Sequence, residues 1–253
     1  MAEPRILVSA DVPALCDHLA GRLGEYAAAT LARRPRFSVA LTGGRTPRAF
    51  YERLAERMRK HECSWTGWDF FWGDERSVPP GHADSNYRMA WESLLGPAGV
   101  NPEHIHRLPG ESGDLNVAAK EYADLIARHV PENSRGIPVF DLILLGMGDD
   151  GHTASLFPGT AALREEEQIV VANWVPQLET YRLTMTYPLI NAGRCVWYLV
   201  TGAAKAPLLK QVLGRQNDPM YPCQHVNPPD GELVWWLDAD AAAELADIPR
   251  TFL

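Results

Sequence analysis

Short apolar segments alternate along the chain with longer segments in which apolar residues recur every three or four positions. The short segments predict β-strands at 37–43, 69–75, 105–108, 139–146, 169–175, 195–202 and 233–238. The longer segments predict helices at 12–33, 47–60, 86–95, 115–129, 203–213 and 239–246. Because the segment 139–146 is almost continuously apolar, it is typical of a strand covered on both faces. The alternation predicts an α/β protein with a mainly parallel sheet.

Length and composition predict one domain. The chain has 253 residues, 46% of them hydrophobic and 22% charged, which is ordinary for a globular protein with a full hydrophobic core. No internal repeat is visible, and the most polar connections, 109–114 and 214–219, are too short to be domain linkers. We therefore expect a single domain over residues 1–253.

Charge and hydropathy exclude several classes of partner. The formal net charge of −8 argues against general affinity for nucleic acids or anionic membranes. No apolar run approaches the ~20 residues of a membrane span, and the first residues lack the pattern of a signal peptide. We therefore expect a cytoplasmic protein. The four cysteines form no C-x-x-C pair and are predicted to be inert thiols: Cys16, Cys63, Cys195 and Cys223.

The first polar loop that follows a predicted strand is 42-TGGRTPRAF-50. In open α/β sheets ligands bind beyond the carboxyl ends of the strands, so this position is informative. Two glycines allow close approach of a ligand, Thr46 can cap the next helix, and Pro47 suits its first turn. Free amides at that helix start, with Arg45, would form a phosphate site. The alternative is a tight, well-capped turn without a ligand.

Two further loops carry charge at the ends of predicted strands. Asp74, Glu75 and Arg76 end the strand 69–75, where charged groups can orient hydroxyls or polarise a carbonyl. An ordinary solvated charge cluster is the alternative interpretation. Lys205 follows the strand 195–202 near a helix start, from which it could reach an anion held by the other loops.

The loop 146-GMGDDGH-152 satisfies the G-x-G-x-x-G fingerprint of a dinucleotide-binding loop. Asp149 and Asp150 would repel a pyrophosphate there, and no strand ending in an acidic residue follows about 20 residues later. We therefore interpret the match as accidental. The loop instead offers His152 for proton transfer, with Asp150 close enough to orient it. A histidine that caps the next helix, or a weak metal site, is the alternative.

Taken together, these loops resemble one known family. The motifs T-G-G-x-T-P, W-x-D-E-R with S-N-Y downstream, and G-M-G-x-D-G-H-T-A-S-L-F-P-G look like those of 6-phosphogluconolactonases. The resemblance continues through 182-RLTMTYPLINAG-193, 202-GAAKAPLL-209 and 226-VNPPDGELVWWLD-238, and so covers nearly the whole chain. It implies a three-layer Rossmann-like α/β fold with a mainly parallel twisted sheet flanked by helices.

The wider family also includes glucosamine-6-phosphate deaminase. That enzyme carries a glutamate five residues beyond the histidine, where this chain has Phe157. Its aspartate-glutamate-tyrosine motif is Asp74-Glu75-Arg76 here, which is the lactonase-like form. The sequence therefore favours a lactonase over a deaminase or isomerase. A sugar-phosphate sensor without catalytic activity is a third hypothesis, disfavoured by the absence of a DNA-binding segment and by the negative charge.

The resemblance implies hydrolysis of 6-phospho-D-glucono-1,5-lactone to 6-phospho-D-gluconate, the second step of the oxidative pentose phosphate route. We expect a phosphosugar lactone as the small-molecule partner, with no metal and no cofactor, in a monomer or small homo-oligomer. His152 is expected to act as general base. The other implied catalytic residues are Asp150, Arg76 and Asp74, and the implied phosphate-binding residues are Gly43, Gly44, Arg45, Thr46, Lys205 and Arg182.

Overall fold

The computed structural model describes residues 4–60, 64–214 and 220–253. Its strands are β1 (Arg5–Ser9), β2 (Phe37–Leu41), β3 (Trp68–Trp72), β4 (Asp74–Arg76), β5 (Leu142–Leu145), β6 (Val170–Val175), β7 (Thr180–Met185), β8 (Cys195–Val200), β9 (Glu232–Asp238) and β10 (Thr251–Phe252). Its helices are α1 (Val12–Leu31), α2 (Arg45–Arg59), α3 (Asn86–Ala90), α4 (Leu115–His129), α5 (Tyr187–Ile190) and α6 (Ala206–Leu213). Cys63 and most of the polar connection 214–219 lie outside the described residues.

Seven parallel strands form the main sheet, in the order β10-β1-β9-β8-β5-β2-β3. Every residue of β2, β3, β5 and β8 is buried, because helices and loops cover both faces of a parallel sheet. The apolar runs in the sequence follow from this double coverage. The prediction of an α/β fold with a mainly parallel sheet is confirmed.

A second, antiparallel sheet has the order β4-β7-β6. The predicted strand 69–75 is divided at Gly73 into β3, which joins the main sheet, and β4, which pairs with β7. This strand prediction was wrong in its second half because the partner of β4 lies more than a hundred residues away in sequence. Asp74 and Arg76 therefore belong to the antiparallel sheet, whereas β3, the strand that they follow, belongs to the main sheet.

Several predicted elements differ from the observed ones. Segment 105–108 makes only an isolated bridge from Ile105 to Phe70, and 239–246 forms turns instead of a helix. Strands β1, β7 and β10 were missed, and the predicted helix 86–95 becomes α3 followed by a π-helical turn. The missed β10 is a two-residue edge strand and the missed β1 beside it has five residues, and both owe their conformation to pairing with neighbours.

The described cysteines are buried free thiols. Burial raises the pKa of Cys16 to about 11 and the pKa values of Cys195 and Cys223 to about 12. Because the thiolate is the reactive form, these side chains are inert near neutral pH, as the sequence predicted. Among the described residues, no helix is both long and apolar enough to cross a membrane.

A buried carboxylate joins β2 to β5 at the amino ends of the strands. Asp141 precedes β5, and its Oδ2 accepts hydrogen bonds from the backbone N–H of Ser38 at 3.0 Å and from the Ser38 hydroxyl at 3.2 Å. Its Oδ1 accepts a bond from the guanidinium of Arg34 at 2.5 Å. The carboxylate thereby satisfies a buried amide that would otherwise be unpaired, and it fixes the two strands relative to each other.

We predict that Asp141→Ala lowers the free energy of unfolding by about 2–3 kcal/mol, because it leaves the Ser38 amide and hydroxyl without their acceptor. Urea unfolding measures this loss. Glu232→Ala is the matched control, since it removes a carboxylate from an exposed ion pair with Arg5 and is expected to change stability by no more than about 0.5 kcal/mol. Equal losses in the two variants would contradict the anchoring role.

Candidate active site

A cleft of about 540 Å³ opens at the carboxyl ends of β2, β5 and β8. Its walls come from the loops that follow these strands and from the edge of β4. Eight of the ten predicted site residues line it: Gly43, Gly44, Arg45, Thr46, Asp74, Arg76, His152 and Lys205. The structure therefore brings together groups that are spread over 160 residues of sequence.

The amino end of α2 supplies free backbone N–H groups to the cleft. Gly44 is the N-cap residue, with φ of +112° and no side-chain capping bond, and the helix begins at Arg45. The prediction that Thr46 caps this helix was wrong, because Thr46 lies within the first turn and its hydroxyl is 2.6 Å from the Thr201 hydroxyl. An uncapped helix start with free amides is suited to bind an anion.

Gly43 allows a close contact between the loop after β2 and the segment after β4. A Cβ atom at position 43 would lie 1.9 Å from Oδ1 of Asn86. Asn86 in turn donates from Nδ2 to the backbone carbonyl of Asp74 at 3.0 Å and to its Oδ1 at 3.2 Å. Asp74 Oδ2 accepts a bond from the Ser155 hydroxyl at 2.6 Å. The buried Asp74 carboxylate is therefore fixed from both sides.

Glu75 organises the chain that follows β4. Its carboxylate accepts bonds from the backbone N–H groups of Arg76, Asn86 and Tyr87, each at 2.8 Å, and from the Ser85 hydroxyl at 3.0 Å. Burial raises the pKa of Glu75, and these bonds oppose that shift. Glu75 does not line the cleft. Within the Asp74-Glu75-Arg76 motif, it thus holds the S-N-Y segment in place.

His152 and Asp150 form a hydrogen-bonded pair. Nδ1 of His152 lies 2.6 Å from Oδ1 of Asp150, which also accepts the backbone N–H of His152 at 3.1 Å. Because a carboxylate only accepts, Nδ1 carries a proton and Nε2 of the neutral ring keeps its lone pair. The ring also stacks on Phe157, with centroids 3.9 Å apart. Asp150 holds the Nδ1 edge of the imidazole and Phe157 covers one face, so Nε2 is the ring nitrogen that can accept a proton.

The second glycine of the fingerprint makes room for this imidazole. A Cβ atom at Gly148 would lie 2.1 Å from both Cε1 and Nδ1 of His152. The glycine at position 148 therefore accommodates the His152 ring. Asp150 does not itself line the cleft and contacts it through His152.

Lys205 is anchored beside the same loop. Its Nζ donates to the backbone carbonyl of Met147 at 2.8 Å and to Oδ1 of Asp149 at 2.5 Å. This ion pair lowers the pKa of Asp149. The preceding turn is shaped by Asp238, whose carboxylate accepts the Gly202 N–H. Lys205 thus presents its charge at the start of α6, as the sequence predicted.

Two arginines lie opposite each other on β4 and β7. Arg76 and Arg182 are register partners, and Arg76 Nη1 donates to the Asp84 carbonyl at 2.6 Å. Burial, followed by the charge of Arg76, lowers the pKa of Arg182. The Arg182 guanidinium has no hydrogen-bond acceptor among the described residues, and Arg182 does not line the cleft. It adds positive charge next to Arg76.

One group of side chains within the described ranges has ligand atoms close enough for a metal ion: Asp69, His106 and His129. Asp69 lies in the first half of β3, away from the cleft at the strands' carboxyl ends. Arg36 donates to both oxygens of Asp69. Burial would raise the pKa of Asp69, but hydrogen bonds from His106 and Arg36 hold it well below its usual range. The carboxylate is therefore already neutralised by a cation.

Sequence analysis missed three residues of the site. Thr201 and Asn86 line the cleft, and Ser155 holds Asp74. The repeated T-G pair after β2 and β8 is a signal that would have indicated Thr201. Asn86 and Ser155 belong to the S-N-Y and T-A-S-L-F-P-G motifs, but their bonds to Asp74 could not be inferred from the sequence.

Known proteins resemble this chain over most of its length. A sequence profile of the family described as "Glucosamine-6-phosphate isomerases/6-phosphogluconolactonase" matches residues 10–235. A 6-phosphogluconolactonase of Nostoc sp. is 40% identical over 212 residues, which cover 83% of this chain and 85% of the relative.

Solved structures agree with the sequence comparison. The 6-phosphogluconolactonase of Trypanosoma brucei superposes with a TM-score of 0.83 at 29% identity, covering 97% of this chain and 100% of that one. A monomeric glucosamine-6-phosphate deaminase superposes with a TM-score of 0.76 at 18% identity, covering 94% of this chain and 99% of that one. The second likeness concerns the fold alone.

We predict that Gly148→Ala displaces the His152 ring and destabilises the chain by about 1–3 kcal/mol, because its Cβ would overlap the imidazole. Imidazole NMR signals and urea unfolding measure the two effects. Gly146→Ala is the matched control in the same loop, since a Cβ there meets nothing within 4 Å. An unperturbed His152 signal in the Gly148 variant would contradict the packing argument.

Proposed function

Since the chain belongs to the glucosamine-6-phosphate isomerase/6-phosphogluconolactonase family, we propose that it hydrolyses 6-phospho-D-glucono-1,5-lactone to 6-phospho-D-gluconate. The observation that carries this proposal is the Asp150–His152 pair, which lies in one cleft with an uncapped helix start and Lys205. A base and an anion site in one cleft suit an uncharged lactone that carries a phosphate.

The phosphate binds at the amino end of α2. The free N–H groups that follow Gly43 and Gly44 and the side chains of Arg45, Thr46 and Lys205 all border the cleft. A dianion gains from the helix dipole and from the two cationic side chains together. Arg182 contributes from beside Arg76, as a long-range positive charge.

His152 activates the attacking water. Its neutral Nε2 takes a proton as the water oxygen bonds to the lactone carbonyl carbon, and the bond from that carbon to the ring oxygen then breaks. The imidazolium returns the proton to the leaving ring oxygen, which becomes a hydroxyl. Asp150 stabilises the imidazolium through Nδ1 and fixes the tautomer. Hydrolysis in this form needs neither metal nor cofactor.

The developing oxyanion requires donors in the same cleft. Arg76 lines the cleft, and its one side-chain hydrogen bond within the described part of the chain runs from Nη1 to the Asp84 carbonyl. The amides near Gly44 have no side-chain cap there. These groups stabilise the oxyanion or bind the sugar hydroxyls. Asp74, fixed by Asn86 and Ser155, accepts a hydroxyl of the substrate.

The deaminase alternative would place a carboxylate five residues after the histidine. Phe157 occupies that position and packs its ring face against His152. The site therefore lacks this acid for ring opening and isomerisation. In the dinucleotide alternative, a pyrophosphate would meet Asp149 and Asp150 in the same loop. A single domain, a cytoplasmic location and a monomeric or small homo-oligomeric state belong to the same proposal.

We predict that His152→Asn lowers kcat about 10²–10⁴-fold and leaves KM nearly unchanged, because it removes the base and keeps the phosphate contacts. The measurement is consumption of freshly generated lactone, corrected for spontaneous hydrolysis. Ammonia release from glucosamine 6-phosphate is assayed in parallel and is expected to be absent. A folded variant with the native kcat would exclude His152 as the base.

We predict that Lys205→Met raises KM about tenfold or more with a smaller change in kcat, because it removes a cation from the phosphate site. Steady-state kinetics over a range of lactone concentrations measure the change. Lys210→Met is the control, since Lys210 lies in the last turn of the same helix, pairs with Glu244 and does not line the cleft. An unaltered KM in the Lys205 variant would place the phosphate elsewhere.

A further inference from the structure

Asp149, in the loop that carries His152, forms an ion pair with Lys205, a cation of the proposed phosphate site. The Asp149 side chain is 92% exposed, whereas that of Lys205 is 21% exposed. Lys205 Nζ donates to the backbone carbonyl of the buried Met147 and to the carboxylate of the exposed Asp149. Lys205 lines the cleft and Asp149 does not, so Asp149 affects an anion in the cleft through the ammonium group that they share.

The charged groups around Asp149 are the same ones that a phosphate would use. Lys205 contacts it directly, and Arg45 on α2 and His152 in the same loop are close enough to lower its pKa further. A phosphate bound beside Lys205 and Arg45 must therefore share these cations with a negative charge or displace it. Because the Asp149 side chain is 92% exposed, water screens its ion pair with Lys205, and a dianion that also binds the α2 amides can displace it.

We propose that Asp149 is an internal competitor for the phosphate at Lys205: Asp149 pairs with Lys205 in the free protein and is displaced when a phosphate binds. In this role Asp149 is a positioning residue that acts through Lys205. It weakens the binding of both the substrate and the phosphorylated product, and thereby raises KM and speeds product release. The inference rests on the proposed function only in identifying the anion as a sugar phosphate.

The test measures sulfate binding by calorimetry, because sulfate remains a dianion over the whole working pH range. Asp149→Asn removes the charge and keeps the shape, and we expect sulfate to bind about two- to fivefold more tightly than to the native chain. Asp149→Glu restores the charge and is expected to return the affinity to the native value. Asp124→Asn, on the exposed face of α4, removes one charge outside the cleft and is expected to have no effect.

The pH dependence separates competition from a merely structural effect. Lys205 lowers the pKa of Asp149 in the free protein, and loss of that partner to a dianion raises the pKa in the complex. Anion binding therefore takes up a proton, and native affinity should rise as the pH falls through the pKa of Asp149 in the complex. It should equal that of Asp149→Asn only below the lowered pKa of the free protein. His152, Lys205 and Arg45 are present in both proteins, so the difference between the two affinities reports the Asp149 carboxylate.

Kinetics supply the second readout. Asp149→Asn is expected to lower KM for the lactone about two- to fivefold, with kcat unchanged or reduced if product release is limiting. Equal or weaker sulfate binding by Asp149→Asn would overturn the proposal, since Asp149 would then merely order Lys205. Tighter sulfate binding in a chain without lactonase activity would retain the competition and reject the proposed function instead.

Discussion

The parallel pairing of β2 with β5 and of β5 with β8 is the constraint on which the site depends. Parallel strands end at the same edge of a sheet, so three loops from distant parts of the chain must meet there. The helix start at Arg45, the His152 loop and Lys205 face one cleft for this reason. Asp141 fixes β2 and β5 at the opposite edge, where Arg34 compensates its charge.

The antiparallel sheet adds what the parallel sheet cannot supply. A strand that continued straight beyond β3 would carry its polar residues along the main sheet, but the division at Gly73 sends β4 to β7. Asp74 and Arg76 then border the cleft from the side, and Asn86 and Ser155 hold Asp74 in position. The arginines of β4 and β7 are adjacent for the same reason.

The cleft concentrates positive groups in a chain of net charge −8. Lys205, Arg45 and the amides at the start of α2 border it, and the charges of Lys205 and Arg45 lower the pKa of Asp149. The two aspartates have different partners, since Asp150 bonds to His152 and Asp149 to Lys205. In the proposed mechanism Asp150 serves the base, and in the proposed competition Asp149 moderates the anion site, although they are neighbours in sequence.

The sequence by itself determined the α/β class, most of the main strands and the loops that carry chemistry, because these depend on hydrophobic periodicity and on local turn chemistry. It also indicated His152, Asp150 and Lys205, whose residue types and positions after strands are informative without neighbours. Only the tertiary structure decided the separation of β4 from β3, the partners of Asp74 and the contact between Asp149 and Lys205. Apart from the bond between Asp74 and Asn86, these contacts join residues 56 to 110 positions apart, and no local pattern encodes which distant groups meet. The glycines illustrate the division: their spacing was visible in the sequence, but only packing revealed that Gly148 accommodates an imidazole.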